Sequence, residues 1–126
     1  MEEMIKRALE VRKNAHAKKY KVGAVLKTKS GKMYTGCNVD NYGIQSICAE
    51  RTAFVKAISE GETEFESILV VGGNINNSKL DICTPCGYCR QFFREFVDDN
   101  FKIYCSDEEK ICEYTMEELL PNAFKI

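Results

Sequence analysis

The chain holds one histidine, His16, among its 126 residues. A Ser-His-Asp triad is therefore excluded unless His16 is its base, and no metal site can be built from several imidazoles. Proline and glycine supply only two and eight residues, too few for a collagen-like or low-complexity chain. No apolar run exceeds Ile68-Leu69-Val70-Val71, whereas a membrane-spanning helix needs about 18 such residues. The start, Met1-Glu2-Glu3-Met4, is acidic and leads into an amphipathic pattern, unlike a secretory leader. The expectation is a soluble, cytoplasmic chain with no membrane partner. Residues 1–126 should form one domain that buries roughly two-thirds of the surface its unfolded chain exposes.

Cysteine, by contrast, is abundant, with seven residues. A disulfide scaffold would be shorter, secreted and even in its count, so clustered cysteines here point to metal binding or redox work. Charge is nearly balanced at −1 but unevenly placed. Residues 1–32 carry ten Lys/Arg against three Asp/Glu, and the remainder eight against sixteen. A basic quarter of this kind can touch phosphate. No aromatic-interleaved basic motif accompanies it, so it reads as a solvated face set against acidic elements, and a nucleic-acid partner is not expected.

Met4, Ile5, Ala8, Leu9, Val11 and Ala15 recur at helical spacing and predict a helix over 2–17. Val22 to Lys27, the turn Lys29-Ser30-Gly31-Lys32 and Met33 to Val39 read as a hairpin. A loop from Asp40 to Ile47 precedes a helix over 48–59, which stops at Gly61. Glu66 to Gly72 is a strand of the buried type, followed by an Asn/Gly-rich loop to Asp81. Thr84-Pro85 predicts an N-cap and first turn for a helix reaching about Asp98. Strands follow at Phe101 to Cys105 and Ile111 to Tyr114, and Thr115-x-x-Glu118 opens a short last helix. This order implies an α/β fold, three layers α/β/α around a mixed sheet of about five strands.

The chemistry concentrates at two predicted helix starts. In Pro85-Cys86-Gly87-Tyr88-Cys89 the two thiols lie three apart, on one side of a first turn whose dipole favours thiolates. Alone, this spacing fits either a redox pair or half a zinc site. The other start is Cys48-Ala49-Glu50-Arg51. Were the two to converge, three thiolates would bind one Zn²⁺ and leave a fourth position open, the mark of a catalytic site. Glu50 would then be a carboxylate near the metal but not on it, suited to general acid and base work. Arg51 would supply the cation that three thiolates beside Zn²⁺ call for.

Cys48-Ala49-Glu50 followed by Pro85-Cys86-x-x-Cys89 resembles the zinc-dependent nucleoside deaminases, specifically the cytidine deaminase family. Val22-Gly23-Ala24, Thr35-Gly36-Cys37-Asn38-Val39-Asp40, Arg51-Thr52-Ala53, Arg90-Gln91 and Glu117 to Pro121 extend the resemblance over nearly the whole chain. It implies that Cys48, Cys86 and Cys89 bind one Zn²⁺ per chain. A zinc-bound hydroxide would attack C4 of cytidine or deoxycytidine while Glu50 shuttles protons, releasing ammonia and a uracil ring. It further implies ribose contacts from Asn38 and Asp40, a backbone contact from Ala49 to the pyrimidine carbonyl, and packing of Tyr20 against the base. Phe124 would close the pocket of a neighbouring subunit in a homotetramer. Three features depart from the pattern: Asp40 replaces the usual Glu, the 38–48 loop is one residue short, and Ala17-Lys18-Lys19 replaces a Pro-Tyr-Ser stretch. Blasticidin-S deaminases share the zinc motifs and vary in the same regions, so another small aminopyrimidine is the rival substrate. A structural-zinc domain without turnover and a polynucleotide deaminase using the basic quarter are rivals of other kinds.

The remaining residues have plainer readings. Cys83 makes a closed four-cysteine site conceivable together with Cys48, Cys86 and Cys89. Cys37, Cys105 and Cys112 read as small buried hydrophobes. His16 reads as a boundary residue of the first helix, and Phe92, Phe93 and Phe96 as core or subunit contact.

Overall fold

Ile68 to Val71 form the middle of the longest strand, and their continuous apolarity is explained by cover on both faces. In the computed structural model, which describes residues 1–125, nine elements follow in the expected order. They are α1 (Glu2–Arg12), β1 (Tyr20–Thr28), β2 (Met33–Cys37), α2 (Ala49–Ser59), β3 (Phe65–Asn74), α3 (Gly87–Arg94), β4 (Lys102–Ser106), β5 (Ile111–Thr115) and α4 (Met116–Leu119). The last residue of the expected domain lies outside the described residues. No helix among them is long and apolar enough to cross a membrane.

The sheet runs in the order β2-β1-β3-β4-β5 and is mixed, with β3 and β4 parallel and every other pair antiparallel. Strand alternation sorts its side chains into two cores. Ala24, Leu26, Ile68, Val70, Ile103 and Cys105 face the layer of α2 and α3, whereas Val25, Leu69 and Val71 face α1 through Met4 and Ala8. On the first face Phe54 is the hub of an aromatic cluster, stacked on Phe93 at 4.9 Å and edge-on to Phe65 at 5.2 Å between ring centroids. Phe93 is fully buried, Phe92 packs against this core, and Phe96 reaches its margin.

Strands β1 and β3 extend one or two residues beyond the expected ends, and α1, β2 and α3 depart from the sequence expectation for structural reasons. Helix α1 ends at Arg12, five residues early. The chain beyond it pairs with the continuation of β2 instead: His16 N–H donates to the Asn38 carbonyl at 3.0 Å, and His16 bridges Val39. His16 is therefore exposed on an extended segment and not on a helix. Strand β2 correspondingly stops at Cys37, and Val39 is shared between His16 and Ile47. Helix α3 begins at Gly87 with Cys86 as its N-cap, and it ends at Arg94. The Arg94 guanidinium donates to the Val97 carbonyl at 2.8 Å and pairs with Asp99, which turns the chain away from the helix.

Close backbone approach fixes α2 over the sheet. A Cβ on Gly36 would stand 2.5 Å from both the Ala49 carbonyl oxygen and the Ala53 nitrogen. Gly36→Ala should therefore lift the start of α2 and cost about 3 kcal/mol, at the upper end of overpacking penalties. Urea unfolding measures this, and a loss below about 1 kcal/mol would show that the helix has room to shift. The basic N-terminal quarter is partly neutralised within the fold, as Lys27 pairs with Glu66 at 3.5 Å and Lys32 with Glu62 at 3.8 Å.

Candidate active site

Two helices start with the same local device. Cys48 and Cys86 are the N-caps of α2 and α3, both in extended backbone conformation, and neither side chain makes a capping hydrogen bond. Their sulfurs are thus free to face each other, and Cys89, three residues into α3, turns to the same side. The Sγ atoms of Cys48, Cys86 and Cys89 all lie within 4.8 Å of one another. Thiolates bound tetrahedrally to zinc at about 2.3 Å stand about 3.8 Å apart, so the three fit one zinc ion with little movement. Cys83 stands outside this cluster, so the four-cysteine arrangement is not assembled among the described residues.

Charge around the thiols favours metal binding. The Cys48 thiol is lowered to about 5, first by the hydrogen bond from Cys89 and then by Arg51. The same hydrogen bond, together with burial, keeps the proton on Cys89. Arg51 Nη2 lies 3.9 Å from Cys48 Sγ and 3.2 Å from the Ser46 carbonyl, and its guanidinium lies over the Tyr88 ring at 4.5 Å. Its Nε is buried without a hydrogen-bond partner among the described residues. Arg51 thus stands where a cation would offset three thiolates.

Glu50, the second residue of α2, is 4% exposed and opens onto a cavity of about 200 Å³. Burial pushes its carboxyl up to about 7; its own backbone N–H and the Arg51 guanidinium oppose the rise, and charge on Cys48 adds to it. A carboxyl poised near neutrality can both take and give a proton. Tyr20, Asn38, Asp40, Cys48 and Cys86 line the same cavity, as do Val22, Ser46, Ile47, Cys83 and Thr84, none of which the sequence had placed at a substrate pocket. Ala49 is fully buried and is not among the residues lining the cavity. As the first residue of α2, Ala49 offers one of the N–H groups that a helix start leaves without an intrahelical partner. A broader cavity of about 840 Å³, lined by residues 15–21 and 40–42, shares Tyr20 and Asp40 with this one but contains neither Glu50 nor the thiols.

Asn38 is more committed than its expected role suggests. Its Oδ1 accepts from Val22 N–H at 2.9 Å, and its Nδ2 donates to the Tyr20 carbonyl at 2.8 Å and towards Asp40 Oδ1 at 3.4 Å. It pins the start of β1 to the cavity wall, and its second Nδ2 hydrogen makes only the long contact to Asp40. Phe124 is 71% exposed and does not line the cavity; its carbonyl accepts from Gln91 Nε2 at 3.2 Å.

Arg90 is a positioning residue that spacing alone did not reveal. Its Nε donates to the Pro85 carbonyl at 2.6 Å and its Nη1 to the Leu119 carbonyl at 2.9 Å, bracing the turn that presents Cys86 against the end of α4. Arg90→Ala should keep the fold and weaken zinc by about 10–100-fold, as loss of a supporting shell does. Competition against a zinc-chelating dye would show it, and unchanged affinity would mean that Pro85 is held without the guanidinium.

The described geometry has counterparts of known kind. The family described as the cytidine and deoxycytidylate deaminase zinc-binding region matches residues 1–105. A probable cytidine deaminase of Dictyostelium discoideum is 43% identical over 108 residues, covering 83% of this chain and 69% of that protein. A blasticidin-S deaminase of Bacillus cereus is 30% identical over 107 residues, 82% of this chain and 76% of its own length. Among solved structures, a cytidine deaminase from Burkholderia pseudomallei superimposes with a TM-score of 0.87 at 34% identity, covering 98% of both chains.

Proposed function

The chain belongs to the cytidine and deoxycytidylate deaminase family, and we propose that it hydrolyses the 4-amino group of cytidine and deoxycytidine, giving a uracil nucleoside and ammonia. The observation that carries this reading is the buried Glu50 carboxyl opening onto the same small cavity as Cys48 and Cys86. Zinc held by Cys48, Cys86 and Cys89 would supply the acidity that makes water a nucleophile near neutral pH. Glu50 does the proton work: its carboxylate takes a proton from the attacking water and gives it to ring N3, which makes C4 electrophilic. It then carries the remaining proton of the added hydroxyl to the departing amino group, which leaves as ammonia. Ala49 N–H meets the pyrimidine carbonyl. Asp40 accepts from a ribose hydroxyl, the Asn38 Nδ2 hydrogen now directed at Asp40 turns to donate to another, and the Tyr20 ring forms the wall beside them. Arg51 tempers the charge of the three thiolates.

We further propose one deaminase domain over the whole chain, working in the cytoplasm in the recycling of pyrimidine nucleosides. In a homotetramer the exposed Phe124 ring would close a neighbour's cavity. The test is ultraviolet assay of the zinc-loaded protein on cytidine, deoxycytidine, cytosine and blasticidin S in parallel. Turnover of the two nucleosides supports the reading. Turnover of blasticidin S alone would retain the mechanism and replace the substrate, which the likeness to the Bacillus cereus protein keeps as the second reading. Tight zinc without any turnover would make the site structural.

A further inference from the structure

We propose that Asp81 is a positioning residue for substrate binding, acting through the Tyr20 ring; this rests on the cytidine reading above. Tyr20 opens β1 and lines the cavity shared with Glu50, Asn38 and Asp40. Its ring is held from two directions. The Tyr20 hydroxyl donates to Asp81 Oδ2 at 3.1 Å. Beneath the ring lies Gly72 of β3, where a Cβ would stand 3.2 Å from Tyr20 Cε1 and equally close to Cys83 Sγ. Gly72 serves twice, since its carbonyl also accepts from Asp81 N–H at 2.9 Å and so anchors the residue that holds the ring.

The arrangement joins a strand start to a loop 61 residues away in sequence. A tyrosine turns about two side-chain bonds, and a ring released from Asp81 can swing into a cavity of only about 200 Å³. The tether keeps the ring against Gly72 with its polar end outside, so that its apolar face forms the cavity wall. Substrate binding therefore depends on Asp81 although Asp81 does not line the cavity. Proton transfer at Glu50 does not depend on it.

Steady-state kinetics on cytidine test this with the zinc-loaded wild type, Asp81→Ala, Asp81→Asn, Tyr20→Phe and the double variant Tyr20→Phe/Asp81→Ala. Asp81→Ala should raise KM about five- to tenfold, the loss of one charge-assisted hydrogen bond near solvent, with kcat within about twofold. Asp81→Asn should recover most of the loss, because its amide oxygen still accepts from the hydroxyl. Adding Asp81→Ala to Tyr20→Phe should change nothing further. An equal effect of Asp81→Ala in both backgrounds, a fall confined to kcat, or no change in KM would overturn the proposal. A second readout needs no turnover. The chain has six tyrosines, and Tyr20→Phe identifies the ¹³Cζ resonance of Tyr20, which Asp81→Ala should shift. If the wild type turns over no cytidine, the functional reading falls by itself while this resonance still decides whether the tether exists.

Discussion

Glu50→Gln should leave the fold and the zinc affinity unchanged and lower kcat by about 10²–10⁴-fold, the range that a positioned acid–base group contributes. The two side chains are nearly isosteric, which matters at a position only 4% exposed. Burial already favours the neutral form of the Glu50 carboxyl, so a neutral amide adds no new desolvation cost there. What the amide cannot do is exchange a proton with the ring or with the leaving amino group. Metal content, thermal unfolding and cytidine turnover on one preparation separate the possibilities. If turnover survives, another group moves the protons and Glu50 is only a buried carboxyl at the start of α2.

Cys86→Ala should remove most of the zinc-dependent stabilisation. Structural zinc sites bind with about 10–16 kcal/mol spread over four ligands, so one thiolate carries about 3 kcal/mol, or roughly a 10²-fold loss of affinity. Zinc present at about 100 times the wild-type Kd stabilises the native state by about 2.7 kcal/mol through mass action, and most of that would vanish. Because Cys86 is exposed and already an N-cap without a side-chain hydrogen bond, truncation opens no core cavity. Unfolding of the metal-free variant should therefore match that of metal-free wild type. A zinc-induced rise in Tm equal to the wild type's would remove Cys86 from the ligand set.

The order of all nine elements was legible because each carries its own local signal, such as the helical spacing of α1 or the Thr115/Glu118 capping box. That box forms as expected, with Glu118 N–H donating to Thr115 Oγ1 at 3.1 Å. Errors came where tertiary contacts outrank local pattern. Ala15 continues the apolar period of α1 yet is buried in the extended segment that pairs with residues 38–40. Thr84-Pro85 has the chemistry of a helix start, but the Pro85 carbonyl is claimed by Arg90, and the helix opens two residues later at Cys86. The metal-ligand candidates were legible because Cys48-Ala49-Glu50 and Pro85-Cys86-x-x-Cys89 taken together match a zinc-deaminase pattern, although the second alone fits a redox pair as well. Asp81 and Arg90 were not, since Asp81 acts on a tyrosine 61 residues away and Arg90 joins the nearby Pro85 carbonyl to that of Leu119, 29 residues on.

The placement of the thiols on either side of β3 has a consequence for biogenesis. Cys86 and Cys89 share a turn, but Cys48 joins them only after β3 has paired with β1 and α2 has settled over the sheet. A growing chain therefore offers the ion two ligands at most until its central strands have closed. Zinc capture is then a late event that reports on a finished sheet. In refolding from denaturant with free zinc present, metal uptake should lag behind strand formation, and the protein should take up its ion only as a nearly native molecule.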